Sequence, residues 1–179
     1  MRFTGERFIP WGMGERAWMA QDHLARYGWA ARFAANRRVV DLGCGTGYGS
    51  YILSMVARFV LGLDVCAETV SHAERTFANR VCQFWQANIE RDHIPPAELY
   101  VCFECLEHLE RPGELVARLG APLLYSLPIG NTSRYHKHAY APAGAEAFGG
   151  TIWYQTAEGD IVPKEHAWFS PAIVIGFKE

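Results

Sequence analysis

The sequence has no apolar run of the roughly 18 residues that a transmembrane helix requires. Residues 1–10 also lack the apolar stretch of a secretory signal peptide. The formal net charge is only -2, so there is no overall excess of basic residues that would bind nucleic acid. These absences predict a cytoplasmic protein without a membrane or a nucleic acid as its partner.

The sequence also lacks the cysteine pattern that is typical of disulfide-bonded proteins. The five cysteines are an odd number, and their spacing is not that of a disulfide framework. Cys102 and Cys105 form a Cys-x-x-Cys motif, but a zinc ribbon needs a second such pair, which is absent. We therefore expect reduced, buried thiols and assign no residue as a metal ligand at this point.

The sequence does contain enough apolar residues for one domain with a core, since 50% of its 179 residues are hydrophobic and 20% are charged. The sequence of residues 1–13 predicts an irregular N-terminal arm. From Gly14 to Asn36 apolar residues recur at spacings of three or four, which predicts a helix. This helix either packs on the edge of a sheet or covers a ligand as a lid.

The most distinctive segment is the glycine-rich stretch from Val39 to Gly49. A short apolar strand, Arg38 to Leu42, runs directly into it, and a helix is predicted from Tyr48. Glycine stands at every second position from 43 to 49, and it allows positive φ angles and a close approach of the backbone to a ligand. N–H groups at the start of the helix add hydrogen-bond donors, so the segment predicts a turn that surrounds a polar ligand.

Two classes of cofactor use such a turn, and the spacing of the glycines separates them. A dinucleotide fingerprint is Gly-x-Gly-x-x-Gly, and its third glycine would fall on Tyr48 or on Ser50 here. A dehydrogenase is therefore a poor alternative. The pattern that does match is Asp-x-Gly-x-Gly-x-Gly, from Asp41 to Gly47.

An acidic residue follows at the distance that a ribose-binding site needs. Phe59 to Val65 predicts a second strand, and Asp64 near its end lies 21 residues after Gly43. This is close to the spacing of about 20 at which an acid meets ribose hydroxyls in this architecture. A carboxylate can accept hydrogen bonds from the 2′- and 3′-hydroxyls together, so Asp64 is a predicted ligand contact.

The remaining strands predict one crevice and a fold class. Val81 to Gln86 is a third strand that leads to Asn88, and Leu99 to Phe103 is a fourth strand that leads to Glu104. Because the carboxyl ends of parallel strands meet at one edge of an open α/β sheet, these residues should gather there. With a fifth strand and two final strands near residues 151–155 and 172–177, we expect a doubly wound, seven-stranded, mostly parallel sheet with helices on both faces and a C-terminal antiparallel hairpin.

Two motifs in this framework resemble those of a known family. The loop from Asp41 to Gly47 and the segment Glu104-Cys-Leu-Glu-His-Leu109 resemble the class I S-adenosylmethionine (SAM) methyltransferases that act on small molecules. Residues 4–8 and 23–27 resemble the leader of one bacterial branch of these enzymes. The resemblance implies the Rossmann-like methyltransferase fold, SAM as the cofactor and S-adenosylhomocysteine as the product.

The resemblance also implies a set of cofactor-binding residues and a division of the chain. The implied contacts are Asp41, Gly43, Cys44, Gly45, Gly47, Asp64, Val65, Asn88, Ile89, Phe103 and Glu104. Asn88 stands where the family usually has an aspartate beside the adenine, and Ile89 would form an apolar wall for the ring. In a single domain over residues 1–179, residues 1–36 would form an arm and a lid helix, residues 37–128 the cofactor-binding core, and residues 129–179 the acceptor side.

A hydroxyl acceptor benefits from a general base, and histidines are the candidates. We expect His108 to act as this base, with His136 as the second candidate; alternatively His108 only orients its helix. A related alternative is a divalent metal site made of Glu104, Glu107, His108 and a histidine from residues 136–138, because related O-methyltransferases carry a similar Glu-x-x-Glu-His that binds Mg²⁺. Such a metal would lower the pKa of the acceptor hydroxyl.

The sequence is compatible with more than one methyl acceptor. We expect a small molecule or a sugar- or lipid-linked precursor that is methylated at oxygen. One alternative makes RNA the acceptor through the basic loop from Arg134 to His138. Another is a SAM-binding module without catalysis, because the region before the sixth strand is short. The lid alternative for the N-terminal helix would bring His23 or Arg26 near the carboxylate of the cofactor.

Overall fold

The computed structural model describes residues 17–130, 133–156, 158–167 and 171–179, with the side chains of α1 described from residue 21 onward. The predicted arm over residues 1–13, its resemblance at residues 4–8 and the expected start of the first helix lie outside these ranges. The helices α1 to α5 span Ala17–Ala34, Tyr48–Ser54, Ala67–Phe77, Pro112–Arg118 and Pro142–Glu146. The strands β1 to β8 span Arg38–Leu42, Phe59–Asp64, Cys82–Gln86, Leu99–Phe103, Leu123–Pro128, Thr151–Gln155, Ile161–Pro163 and Ile173–Lys178. Among the described residues, short 3₁₀ helices also cover Leu106–His108 and Lys164–His166.

All described strands form one sheet in the order β3-β2-β1-β4-β5-β8-β6-β7. Strands β1 to β5 run parallel to one another, and β8 runs antiparallel between β5 and β6. β1 lies in the middle of the parallel part, which is why its last four residues are all buried. The expected fold class, a doubly wound and mostly parallel sheet with antiparallel C-terminal strands, is confirmed.

The number of strands differs from the expected seven. β6 and β8 form the expected antiparallel pair, and β7, which lies between them in the sequence, adds an eighth strand that pairs antiparallel with β6. The strand has three residues, Ile161 to Pro163, and ends in a proline. Such a segment has too few residues to show an alternating pattern, and proline is confined to sheet edges because it lacks an N–H donor.

Helices cover the two faces of the sheet, and each face has its own core. On one face, Tyr27, Leu53 and Phe77 from the first three helices pack against strand residues such as Val39 and Val60. On the other face, residues of α4 and α5, among them Leu115, Val116 and Ala145, pack against Val40 and Leu61. Consecutive strand residues thus enter opposite cores, as the alternation of a strand requires.

The strand order reverses between β1 and β4, where ligands bind in sheets of this kind. The connections after β1, β2 and β4 all leave the sheet at this carboxyl edge. No helix stands between β3 and β4, so residues 87–98 cross as an extended loop. Within the described ranges, no helix combines the length and the apolar character needed to span a bilayer.

Helix α1 packs on the sheet and on α2, in place of the sheet-edge position that the sequence suggested. The ring of Tyr27 lies against Gly49, and its centroid is 5.6 Å from that of Tyr48 and 5.1 Å from that of Phe103. Further along the helix, Phe33 packs on aromatic residues of β6 and β8. α1 therefore connects the glycine-rich segment with the C-terminal strands.

The close approach of Tyr27 to α2 leads to a prediction for Gly49. A Cβ atom at Gly49 would lie 2.1 Å from the Tyr27 ring, so Gly49→Ala should displace that ring and lower the free energy of unfolding by about 1–3 kcal/mol. The matched control is Gly28→Ala in α1, where a Cβ atom meets nothing within 4 Å and should stabilise the helix by about 0.5–1 kcal/mol. Urea denaturation of both variants measures the difference, and equal stabilities would contradict the packing described.

Candidate functional site

The glycine-rich turn folds as a series of left-handed residues at the carboxyl end of β1. Gly43, Gly45 and Gly47 have φ angles of 73°, 54° and 89°. The N–H groups of Gly43 and Cys44 donate to the carbonyl of Leu63, at 2.8 and 2.9 Å, and hold the turn against β2. The alternation of glycine in the sequence therefore has a direct conformational cause.

The three glycines differ in what surrounds them. A Cβ atom at Gly43 would lie 2.4 Å from the sulfur of Cys105, and one at Gly47 would lie 2.6 Å from the Cβ of Ala73. A Cβ atom at Gly45 would have no described atom within 4 Å. Gly43 and Gly47 are thus required by packing inside the protein, whereas the backbone of Gly45 lies against open space that a ligand could occupy.

The carboxylate of Asp64 lies beside this open part of the turn. Its Oδ2 atom accepts a hydrogen bond from the Gly45 N–H at 3.1 Å, and its Oδ1 atom accepts one from the Cys66 N–H at 2.8 Å. The residue is half-buried. Since each carboxylate oxygen has two lone pairs, both oxygens keep capacity to accept from a further donor. The spacing of Asp64 from the glycines in the sequence thus corresponds to direct contact.

Asp41 lies beneath the turn and supports it. The side chain is fully buried, its Oδ2 atom accepts from the Ser50 hydroxyl at 2.6 Å, and its Oδ1 atom accepts from the Tyr27 hydroxyl at 3.2 Å. Burial raises the pKa of Asp41 to about 6, although both hydroxyl donors act to lower it. This carboxylate therefore has no surface for a ligand and acts through the backbone it holds.

Three other residues of the predicted cofactor set also lie inside the protein. Cys44, Ile89 and Phe103 are only 3%, 6% and 5% exposed. Ile89 packs in the core with α4, and Phe103 packs on Tyr27. Any contact that these residues make with a ligand would involve the backbone or a small part of the side chain, and their role stays a prediction.

Val65 and Asn88 are the more accessible members of the set. Val65 follows Asp64 directly and is 60% exposed. Asn88 is half-buried, and its side-chain oxygen accepts from the N–H of Glu90 at 3.0 Å. Because a carbonyl oxygen has two lone pairs, Asn88 keeps one for another donor.

Glu104 follows β4 and is paired with a residue of α1. Its Oε1 atom accepts from the Ser126 hydroxyl at 2.9 Å and lies 3.3 Å from Nη1 of Arg26, which is 1% exposed. Ser126 could not be found from the sequence, because it stands inside an otherwise apolar strand. His23 lies 2.9 Å from the Tyr48 hydroxyl through Nδ1, and burial together with the charge of Arg26 lowers its pKa to about 3. Both α1 residues that the lid alternative named are thus engaged within the protein.

A second cluster lies close by and contains both predicted catalytic histidines. Nitrogen and oxygen atoms of Glu107, His108 and His136 all lie within 4.8 Å of one another. Glu107 is 1% exposed, and its Oε2 atom has no hydrogen-bond partner among the described residues. Burial, reinforced by the nearby Glu104, raises the pKa of Glu107 to about 9, so that this side chain is neutral near pH 7 in the absence of a cation.

The loop after β5 folds back to complete this cluster. The N–H groups of Lys137 and His138 donate to the carbonyl of Glu107, at 2.8 and 3.2 Å. The rings of His108 and His136 are 4.8 Å apart and perpendicular, and Nδ1 of His108 lies 3.2 Å from the carbonyl of Tyr135. A proton on Nδ1 would be donated to that carbonyl, and the Nε2 lone pair would then be the basic one.

The buried position of Asp41 predicts a specific dependence of stability on pH. An unfolded aspartate has a pKa near 3.8, and the folded value is about 6, so the folded protein takes up this proton first as the pH falls. Asp41→Asn removes the titration. The wild-type protein should therefore gain about 1 kcal/mol of unfolding free energy relative to Asp41→Asn between pH 7 and pH 5. Urea denaturation of both proteins at the two pH values measures this, and a constant difference would contradict it.

Comparison with known proteins identifies a family for the central part of the chain. The family model described as "Methyltransferase domain" matches residues 39–121. A probable S-adenosylmethionine-dependent methyltransferase of Mycolicibacterium smegmatis is 33% identical over 133 residues, which are 70% of this chain and 51% of that protein. The chain spans about half or less of the length of the curated relatives it matches.

Solved structures show the same fold at lower identity. The methyltransferase domain of bacterial CtHen1-C superposes with a TM-score of 0.64 at 15% identity, covering 89% of this chain and 97% of that one. A TehB-like SAM-dependent methyltransferase from Corynebacterium glutamicum gives a TM-score of 0.62 at 18% identity, covering 86% and 85%. Residues 39–121 therefore belong to the methyltransferase-domain family, and the chain has the fold of the class I SAM-dependent methyltransferases.

Proposed function

We propose that the protein is an enzyme that transfers the methyl group of SAM to a hydroxyl oxygen of a small molecule or of a sugar- or lipid-linked acceptor. The observation that carries this proposal is the carboxylate of Asp64, which is held beside the open backbone of Gly45 at the edge where the strand order reverses. The methyltransferase-domain family of residues 39–121 supports the same function.

The described residues offer suitable partners for the ribose and the adenine of the cofactor. Asp64 would accept hydrogen bonds from both ribose hydroxyls, and the backbone at Gly45 would allow the close approach. The exposed side chain of Val65 provides an apolar surface for the adenine ring, and Asn88 an acceptor for its amino group. These four residues lie at the carboxyl ends of β1, β2 and β3.

The chemistry needs little from the protein beyond alignment and a base. Bound SAM would supply a methyl group that is already activated by its sulfonium sulfur, with S-adenosylhomocysteine as the leaving group. His108, or His136 beside it, would take the proton that this oxygen loses. Burial raises the pKa of Glu107 to about 9, so this side chain would be neutral near pH 7 and would place no negative charge beside the two imidazoles.

The loop from residue 134 to residue 138 supports a small acceptor more than RNA. Its cations are already engaged, since Nζ of Lys137 lies 2.6 Å from a carboxylate oxygen of Glu110 and the guanidinium of Arg134 stacks on the Tyr135 ring. Nucleic-acid binding needs several cations that are available to phosphates.

Asp64→Asn tests the cofactor site. An amide keeps the size of the carboxylate but has one accepting oxygen in place of two and no negative charge, so affinity for S-adenosylhomocysteine should fall by about 10–100-fold. Isothermal titration calorimetry measures the affinity, and Glu74→Gln on the exposed side of α3 serves as the control with unchanged binding.

The same titration separates the alternatives. Equal affinity of wild-type protein and Asp64→Asn would exclude this carboxylate as the ribose contact. Binding of SAM without any turnover across hydroxyl acceptors would favour the binding module over the enzyme. A thermal shift with a nicotinamide dinucleotide instead of SAM would reverse the choice of cofactor.

A metal-assisted variant of this function is favoured by one specific observation. Glu107, His108 and His136 bring one carboxylate and two imidazoles within 4.8 Å, with a buried carboxylate oxygen aimed at no other described group. A divalent ion on these ligands would lower the pKa of the acceptor hydroxyl. Glu104, which the sequence alternative placed in this set, is instead engaged with Arg26 and Ser126.

Treatment with EDTA and replacement of single histidines distinguish a divalent-metal site from a general base. If an ion is held, His136→Ala should weaken Mn²⁺ binding at least about tenfold, and EDTA should abolish methyl transfer. His138→Ala is the control, since Nε2 of His138 lies 3.0 Å from the carbonyl of Leu109. Activity that survives EDTA but falls about 100-fold or more in His108→Ala would instead assign His108 as a general base.

A further inference from the structure

Arg26 is a buried cation whose contacts connect α1 with the carboxyl ends of three strands. Its side chain is 1% exposed. Nε donates to the side-chain oxygen of Gln155 at 2.9 Å, and Nη1 donates to the Ser126 hydroxyl at 3.2 Å. The same Nη1 lies 3.3 Å from Oε1 of Glu104. These contacts lie at the ends of β4, β5 and β6.

Stability alone is a weak reason for such a residue. Burying a guanidinium costs free energy, which is recovered only when all its nitrogens are well paired. Nη2 of Arg26 is buried and has no hydrogen-bond partner among the described residues. Apolar side chains would fill this position at lower cost. The buried charge of Arg26 is therefore better explained by its contact with the carboxylate of Glu104.

Glu104 is held in an uncommon conformation from two sides. Its φ angle is 49°, in the left-handed region that few residues other than glycine adopt. Its N–H lies within hydrogen-bonding distance of the carbonyl and the hydroxyl oxygens of Ser126, at 3.3 and 3.1 Å. The same hydroxyl donates to Oε1 of Glu104. Arg26 and Ser126 thus fix both the backbone and one carboxylate oxygen.

The position of Glu104 indicates a function for its contacts with Arg26 and Ser126. The residue follows β4, and Cys105 after it lies against Gly43 of the glycine turn. The Glu104 side chain is 21% exposed, so a part of it remains accessible. With Oε1 occupied by Arg26 and Ser126, Oε2 is the carboxylate oxygen left for a cationic partner at this edge.

We propose that Arg26 is a positioning residue that orients Glu104 to bind the ammonium group of the aminoacyl end of SAM. The inference rests on the proposed function, because it needs the glycine turn and Asp64 to bind the adenosyl part of the same molecule. Removal of Arg26 would let the Glu104 side chain rotate away and would weaken recognition of the ammonium group alone.

Two ligands isolate that recognition. S-adenosylhomocysteine carries the ammonium group, whereas 5′-methylthioadenosine keeps the adenine and the ribose but lacks the aminoacyl end. Arg26→Met should weaken binding of S-adenosylhomocysteine by about tenfold or more and leave 5′-methylthioadenosine unchanged, as measured by calorimetry. In a Glu104→Gln background, Arg26→Met should have no further effect on either ligand. Arg32→Met, at an exposed arginine of the same helix, is the control with wild-type affinities.

Further measurements keep the outcome decisive if Arg26→Met folds poorly. Arg26→Lys keeps the charge but cannot bond to Gln155, Ser126 and Glu104 together, so it should show a smaller loss for S-adenosylhomocysteine only. Equal losses for both ligands, with a lower melting temperature, would mean that Arg26 has only a structural role and would overturn the inference. If the wild-type protein binds neither ligand, the proposed function fails as well. Normal binding of both ligands by Arg26→Met would overturn the inference alone.

Discussion

The candidate site depends on a carboxylate that no ligand can reach. Asp41 is fully buried at the end of the central strand, and its two hydroxyl donors come from different elements, Tyr27 in α1 and Ser50 in α2. Burial of a polar group is tolerated when its hydrogen bonds are made, and here those bonds set where the first helices lie. The glycine turn between β1 and α2 is held in place as a result.

Helix α1 then joins the two parts of the site. Neighbouring residues on it, Arg26 and Tyr27, reach Glu104 after β4 and Asp41 in β1. One turn earlier, His23 contacts the Tyr48 hydroxyl at the start of α2. Side chains three and four residues apart share a helix face, so a single face of α1 contacts both motifs. Helix α1 is therefore in direct contact with both motifs of the candidate site.

Most of the correct predictions from the sequence came from local residue patterns. The glycine spacing predicted the turn, and the acid at the end of β2 predicted a ligand contact. Both depend on residues that lie close together along one βαβ unit. The pairing of His108 with His136 could be suggested because both follow the ends of neighbouring strands. Partners such as Arg26 and Ser126 are separated by 100 positions, and no periodicity records which side chains meet across a core. The three-residue strand β7 was also too short for its pattern to be seen.

The left-handed backbone of Glu104 has a consequence for protein engineering. Glycine would adopt this conformation without the cost of about 1 kcal/mol that a side chain incurs. Natural sequences often retain such unfavourable choices where a side chain has a task, and selection for heat resistance removes them. At position 104, however, glycine would also leave the buried guanidinium of Arg26 without its carboxylate partner, which costs about 3–5 kcal/mol, so a screen that rewards thermostability would still retain the carboxylate.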